Sequence, residues 1–409
     1  MTVPKSLKDT KLFQPIKVGK NELNHRVVFA PTTRYRALDD HTPSDLELQY
    51  YGDRSQYPGS LITTEATFSA EQGGLFSNVP GIYTEKHVEG WKKINEKIHA
   101  NKSFSSIQLW YLGRVGNPKL LKEAGLPFIA PSPVYVTDES KKLAEEVGNP
   151  LRSLTEEEIQ DIIHVQYPKA AINALAAGFD YIEIHSAHGY LLDQFLQPST
   201  NQRSDKYGGS IENRARIVLE IIDVLLPIVG ADRLAIRLSP WAKFQNMKAE
   251  EDVVHPITTF SYVINELQKR ADVGNQLAYI SLVEPRVQAS YDVEKENQVG
   301  DNAFASSIWK GNFIKAGNYT YDAPEFSTLL NDIEDNRTLV GFSRYYVSNP
   351  DLVRRLRDGL ELTPYVRATF YTHDNWGYNT WNSYDENKEF IEAEEVKVVA
   401  KPIKGAYAI

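Results

Sequence analysis

Tyr181-Ile-Glu183-Ile-His185-Ser-Ala-His188-Gly-Tyr190 begins as a strand and ends in a turn crowded with polar groups. Its first half is apolar enough to be buried on both faces, as a parallel strand between a barrel interior and a helix layer must be. Its second half gathers ionisable side chains at the carboxyl end, where barrel enzymes carry their chemistry. Outward from this stretch, short β-branched or apolar runs alternate with longer helical patterns. Strands are expected at 26–31, 60–65, 103–109, 181–185, 234–239, 277–283, 313–317 and 338–342. Eight βα units predict an α/β chain folded as a (β/α)8 barrel.

The helices between the strands carry start signals. Thr155 with Glu158 forms a capping box, followed by an apolar stripe of Ile159, Ile162, Ile163 and Ala170. Ser210 is placed to cap a helix over 211–228, with Ile217, Leu219, Ile221, Ile222 and Leu225 on its core side. Asn349-Pro350 is expected to open a further helix, with Pro at the first helical position. Ahead of the first strand, Gly19-Lys20-Asn21 lies between two β-like runs, which predicts a hairpin closing the barrel bottom. A plain barrel takes about 250 residues. The surplus in this 409-residue chain falls at 111–152, 241–256, 284–310 and after 359. The expectation is a single domain over 1–409, with the barrel at roughly 26–360 and a C-terminal extension, 361–409, packed on it. The first three insertions follow strands 3, 5 and 6, which puts them on the catalytic rim.

Composition narrows the chemistry. A hydrophobic fraction of 42% supports a large core, and a formal charge of −9 argues against a nucleic-acid surface. There is no cysteine, which excludes disulfides, thiolate metal sites, iron–sulfur clusters, a Cys nucleophile and a Cys-linked flavin. The N-terminal residues have no apolar core of a signal peptide, and no run approaches the ~18 apolar residues of a membrane span. A cytoplasmic protein that touches neither membrane nor nucleic acid is expected.

Three clusters are candidates for function. At the end of strand 4, His185 and His188 can offer N–H donors to one oxyanion, and Tyr190, an acid with an ordinary pKa of about 10, can supply a proton. The plainer reading is a set of satisfied polar groups at a barrel rim. Glu183, His185 and His188 could also form a metal set, but zinc hydrolases on this barrel carry a His-x-His after the first strand, and none of the nine histidines forms one. Arg237 interrupts an apolar strand and needs an anionic partner, either a structural carboxylate or a ligand. Gly317-Asn318 and Gly341-Phe-Ser343-Arg344 end strands 7 and 8, where barrels bind phosphate, and so point to a phosphorylated cofactor.

These residues stand within longer motifs. HSAHGYLLDQFLQPSTNQRSDKYGGSIENRARIVLE (185–220) closely resembles the Old Yellow Enzyme family, as do APTTRYRA (30–37), ITTEA (62–66), QLWYLGR (108–114), LAIRLSP (234–240), SIWKGNFIKAGN (307–318) and GFSRYYVSNPDL (341–352). The match runs in order from about Leu12 to Tyr378 and is most like the yeast members. The resemblance implies a non-covalent FMN at the barrel mouth and NADPH as hydride donor. Pro31, Thr32 and Thr33 would line the flavin, with Thr33 bonding its C4 carbonyl and N5 edge. Gln108 would meet the pyrimidine edge and Arg237 the N1 and C2 carbonyl, while Gly317, Asn318, Ser343 and Arg344 would hold the phosphate. His185 and His188 would bind the carbonyl oxygen of an α,β-unsaturated substrate or a phenol, and Tyr190 would protonate the α-carbon. Trp110, Phe244, Phe304 and Tyr371 resemble the family's cavity aromatics. The implied activity is reduction of enones, enals and nitroalkenes. The alternative is a flavoprotein whose main role is binding phenolic or steroid ligands. A homodimer or monomer is implied. The chain departs from the family at Ser343, often Gly, and at Trp376, usually His, and carries His188 where brewing-yeast members have Asn.

Overall fold

A computed structural model describes residues 5–289 and 291–406. The ends of the 1–409 span, 1–4 and 407–409, lie outside the described residues.

Eight parallel strands close into one barrel: β1 (Val27–Phe29), β2 (Leu61–Phe68), β3 (Phe104–Trp110), β4 (Tyr181–Ser186), β5 (Leu234–Leu238), β6 (Tyr279–Val283), β7 (Phe313–Ala316) and β8 (Thr338–Phe342). Each pairs with its sequence neighbours, and β8 closes onto β1 through Gly341 opposite Val28. Every expected strand is present. β2 runs on to Phe68 because its register with β3 shifts between Thr63 and Ala66, a bulge that lets the strand continue past Glu65.

Helices alternate with the strands, among them Asp45–Arg54, Glu85–Ala100, Ile211–Val229 and Pro256–Asp272. The Thr155–Glu158 capping box forms, with Glu158 N–H donating to Thr155 Oγ1 at 3.2 Å and Thr155 N–H to Glu158 Oε2 at 2.9 Å. Ile159, Ile162, Ile163 and Ala170 are buried as the stripe requires, through a wide π turn at Ile162–Gln166. Ser210 caps Ile211–Val229. The helix expected at Asn349-Pro350 begins instead at Leu352, with Asp351 at its N-cap and Pro350 in the turn before it. Pro350 lacks an N–H and fits that turn equally well.

The hairpin Ile16–Val18/Asn21–Leu23 plugs the amino-terminal end of the barrel. Ile16, Val18 and Leu23 pack on the inward residues Val28, Leu61, Tyr181, Ala235, Tyr279, Ile314 and Leu339. Among the described residues the lower barrel is therefore filled, and the cavity lies at the carboxyl end. The insertion after β3 has its own small core of Leu121, Phe128, Ala130, Ala144 and Leu151. Buried arginines fasten the C-terminal segment: Arg34 donates to the carbonyls of Phe370 (3.0 Å) and Gly377 (2.9 Å), and Arg36 to that of Asp374 (2.9 Å). Among the described residues, no helix is long and apolar enough to cross a membrane.

Candidate active site

The carboxyl ends of the strands surround a cavity of about 450 Å³, within the range of roughly 300–1,000 Å³ usual for small-molecule sites. Pro31, Thr32 and Thr33 after β1, Gln108 and Trp110 on β3, His185, His188 and Tyr190 from β4, and Arg237 on β5 all line it. Phe244, Gly317, Asn318, Ser343, Arg344 and Tyr371 complete those predicted residues that it gathers. Phe304 is the exception. It lies on the helix Ala303–Ile308 and packs half-buried against the main core, away from the cavity wall. The stretch before that helix supplies Val287, Ala289 and Tyr291 to the wall instead.

The turn after β4 sets the geometry of the polar cluster. His188 and Gly189 have φ of 55° and 73°, a left-handed pair that turns the chain back within two residues. A Cβ on Gly189 would come within 2.9 Å of Gln245 Cβ, so the residue must be glycine on two counts. Side-chain acceptors hold the turn: His188 N–H donates to Ser239 Oγ at 2.7 Å, and Gly189 N–H to Asp193 Oδ2 at 2.8 Å. The turn puts the His185 and His188 ring centroids 6.1 Å apart, with the Tyr190 ring perpendicular to His185 at 5.1 Å. Trp110 stacks on Phe68 (5.4 Å) and receives the edge of Tyr190 (4.7 Å). Two ring neighbours, Trp110 and His185, therefore fix the phenol.

Burial dominates the electrostatics. It drives His185 well below the ordinary imidazole value, helped by His188 and Arg237. It brings His188 down to about 3, again with Arg237 contributing. Both rings are thus neutral near pH 7, each with one N–H to donate. Burial, then the nearby Tyr35, raises the Tyr190 phenol above its ordinary value, so it keeps its proton. His185 Nδ1, His188 Nε2, Trp110 Nε1 and Arg237 Nε have no hydrogen-bond partner among the described residues. The Glu183 carboxylate lies near enough for its charge to favour the Arg237 guanidinium, but no side chain among the described residues takes up Nε, which leaves it open to a ligand. Glu183, the third member of the metal reading, is turned away to accept Gln108 Nε2 at 2.6 Å. Among the described residues, no three metal-binding side chains converge.

At the other end of the cavity, Gly317 (φ 152°) has no room for a side chain, since a Cβ would meet Glu284 Cβ at 2.7 Å. Thr32 Oγ1 and Ser343 Oγ are 2.7 Å apart and link β1 to β8. Arg344 reaches this end but is engaged. Its Nη1 donates to Asp292 Oδ2 at 2.7 Å, its Nη2 to Asp292 Oδ1, and its Nη1 also to Tyr365 Oη at 3.1 Å. A bare aromatic slot, an unpartnered Arg237 and a glycine-lined end carrying an arginine suit a flat heteroaromatic ring with an anionic tail. FMN has that form, and Thr33, Gln108, Arg237 and Arg344 are the residues that would hold it.

Several wall residues escaped the sequence reading: Tyr35, Phe76, Gln245, Tyr291 and Phe370. Only Tyr35 had a signal, standing two residues beyond Thr33 within the same motif. Trp376 does not reach the cavity, so its departure from His leaves the wall unchanged.

Comparison with known proteins identifies the family. The profile of the NADH:flavin oxidoreductase / NADH oxidase family matches residues 11–363. A probable NADPH dehydrogenase of Candida albicans is 60% identical over 97% of this chain and 94% of its own length. Enoate reductase 1 of Kluyveromyces lactis is 45% identical over 94% of this chain and 96% of its own. The crystal structure of Old Yellow Enzyme from Pichia sp. AKU4542 superposes with a TM-score of 0.91 at 50% identity, covering 97% of this chain and all of that one. The closed barrel, the aromatic slot at its mouth and these matches along nearly the whole chain have one reading: the protein belongs to the NADH:flavin oxidoreductase / NADH oxidase family and is an FMN-dependent enzyme of the Old Yellow Enzyme type.

Proposed function

We propose that the enzyme reduces the activated C=C bond of α,β-unsaturated aldehydes and ketones, and of nitroalkenes, using NADPH. One observation carries this reading: two neutral imidazoles and one protonated phenol face a single cavity with Arg237, Gln108 and Thr33. FMN held by Thr33, Gln108, Arg237 and Arg344 would supply the hydride chemistry, with NADPH as its source. The chain does the rest. His185 and His188 each donate an N–H to the carbonyl or nitro oxygen, which polarises the alkene and stabilises the negative charge that develops there. Tyr190 delivers its proton to the α-carbon, and its raised pKa keeps that proton available across the neutral range. Trp110, Phe244 and Tyr371 shape the slot and exclude water. A phenol binds at the same two imidazoles, its oxygen taking the place of the substrate oxygen, and acts as a competitive ligand.

The names of the Candida and Kluyveromyces relatives, a probable NADPH dehydrogenase and an enoate reductase, support NADPH as donor and an activated alkene as acceptor. Anaerobic double mixing tests the reading: NADPH should bleach the flavin, and an enone added afterwards should restore its colour with formation of the saturated ketone. Recovery of colour without saturated product would reject it.

A further inference from the structure

Glu183 is buried (1% exposed), does not line the cavity, and has so far no part in the chemistry. Strand register puts it directly beside Gln108 of β3, while Arg237 of β5 pairs with His185, two residues nearer the rim. Its Oε1 accepts Gln108 Nε2 at 2.6 Å. Its other close polar neighbour is the Tyr279 hydroxyl, which also reaches Ser106 Oγ at 2.8 Å. Burial pushes the Glu183 carboxyl up, but Arg237, Gln108 and Tyr279 all favour its charged form.

This geometry has two consequences. A primary amide has a donor end and an acceptor end, whereas a carboxylate only accepts. Gln108 must therefore give its NH2 to Glu183, which leaves its oxygen for the cavity it lines. The second consequence is electrostatic. A carboxylate diagonal to Arg237 across one strand pair, in a dry interior, cancels part of the positive field that the arginine projects upward.

We propose that Glu183 is a positioning residue of the cofactor site: it locks the Gln108 amide with its oxygen toward the flavin, and its charge opposes Arg237 so that bound FMN is harder to reduce. This rests on the reading that Gln108 and Arg237 meet the flavin.

The test is a midpoint titration of the FMN-loaded enzyme. Glu183→Gln keeps the shape and an oxygen for Gln108 Nε2 but removes the charge. Its ratio of reduced to oxidised flavin at a fixed potential should rise about tenfold or more, a positive shift of about 30 mV for a two-electron couple. Its FMN affinity should be unchanged. Glu183→Leu removes the acceptor as well, and fluorescence titration of its apoprotein should show FMN binding weakened about tenfold or more, about 1.4 kcal/mol. A potential unchanged or lowered in Glu183→Gln overturns the electrostatic role. Undiminished FMN binding in Glu183→Leu overturns the orienting role, and if that variant does not fold, the Glu183→Gln potential still decides the first. Failure of the unmodified chain to bind FMN would count against the cofactor assignment itself.

Discussion

Replacing Tyr190 by Phe deletes one oxygen and leaves the ring where its neighbours hold it. Those neighbours are Trp110 at 4.7 Å and His185 at 5.1 Å, both perpendicular to the phenol, and neither contact involves the hydroxyl. Tyr190 also makes no side-chain cap to the helix Leu191–Leu196, so the backbone does not depend on it. The variant should therefore fold, bind FMN and bind phenols like the parent. What it lacks is a proton for the α-carbon. Positioned general acids contribute about 10²–10⁴-fold, or about 2.7–5.4 kcal/mol at 1.36 kcal/mol per decade. The imidazoles remain, so charge stabilisation on the substrate oxygen is retained and the loss is confined to protonation. The assay mixes pre-reduced enzyme anaerobically with 2-cyclohexenone, and in parallel with a quinone, which takes its protons at oxygen. Enone turnover should fall by about 10²–10⁴ while quinone turnover holds. A loss below about tenfold with the enone, less than 1.4 kcal/mol, or an equal loss with both acceptors, would refute the role given to Tyr190.

Further outcomes follow from the same geometry. Because burial holds His188 neutral down to about 3 and Tyr190 protonated above its ordinary range, enone reduction by the reduced enzyme should be flat from about pH 5 to 9; a transition near pH 6.5 in single-turnover rates would mean that an imidazolium takes part. Arg344→Ala should weaken FMN binding about 10- to 150-fold, the loss of a charge-assisted bond of about 1.5–3 kcal/mol, as read by flavin fluorescence. Asp292→Asn frees the Arg344 guanidinium of its present partner and should tighten FMN binding in the same titration, whereas weaker binding would mean that Asp292 orients the arginine. His188→Ala leaves one N–H donor and should lower affinity for a para-substituted phenol by about 1–3 kcal/mol, measured by its spectral titration.

Much of this was legible in the sequence because its signals are local. The eight strands announce themselves as apolar runs between helical stretches, and Thr155-x-x-Glu158 carries its capping box in four residues. Polar groups at strand ends mark the rim, which is why His185, His188, Tyr190, Gln108 and Arg237 meet in one cavity. What was hidden depends on the course of the loops. Phe304 sits in an insertion with no periodicity, and the preceding residues, which turn Val287 and Tyr291 inward, displace it from the wall. Gln245 enters through a left-handed residue (φ 61°) between Phe244 and Met247, a path no alternation rule foresees. Asp292 is separated from Arg344 by 51 intervening residues, and their pairing exists only once the hairpin after β6 has folded over the rim. Glu183 sits in the quoted motif itself, yet only strand register shows that it faces Gln108 rather than a metal.

At the barrel mouth, two imidazoles and a phenol are placed to face a bound flavin. The most direct test of this placement is the absorbance spectrum of the purified protein during titration with a para-substituted phenol. The protein should be yellow and develop a broad long-wavelength band as the phenol binds, and the band should weaken when His185 and His188 are both replaced by Ala. A colourless protein that takes up no added FMN, or a band indifferent to loss of both histidines, would contradict it.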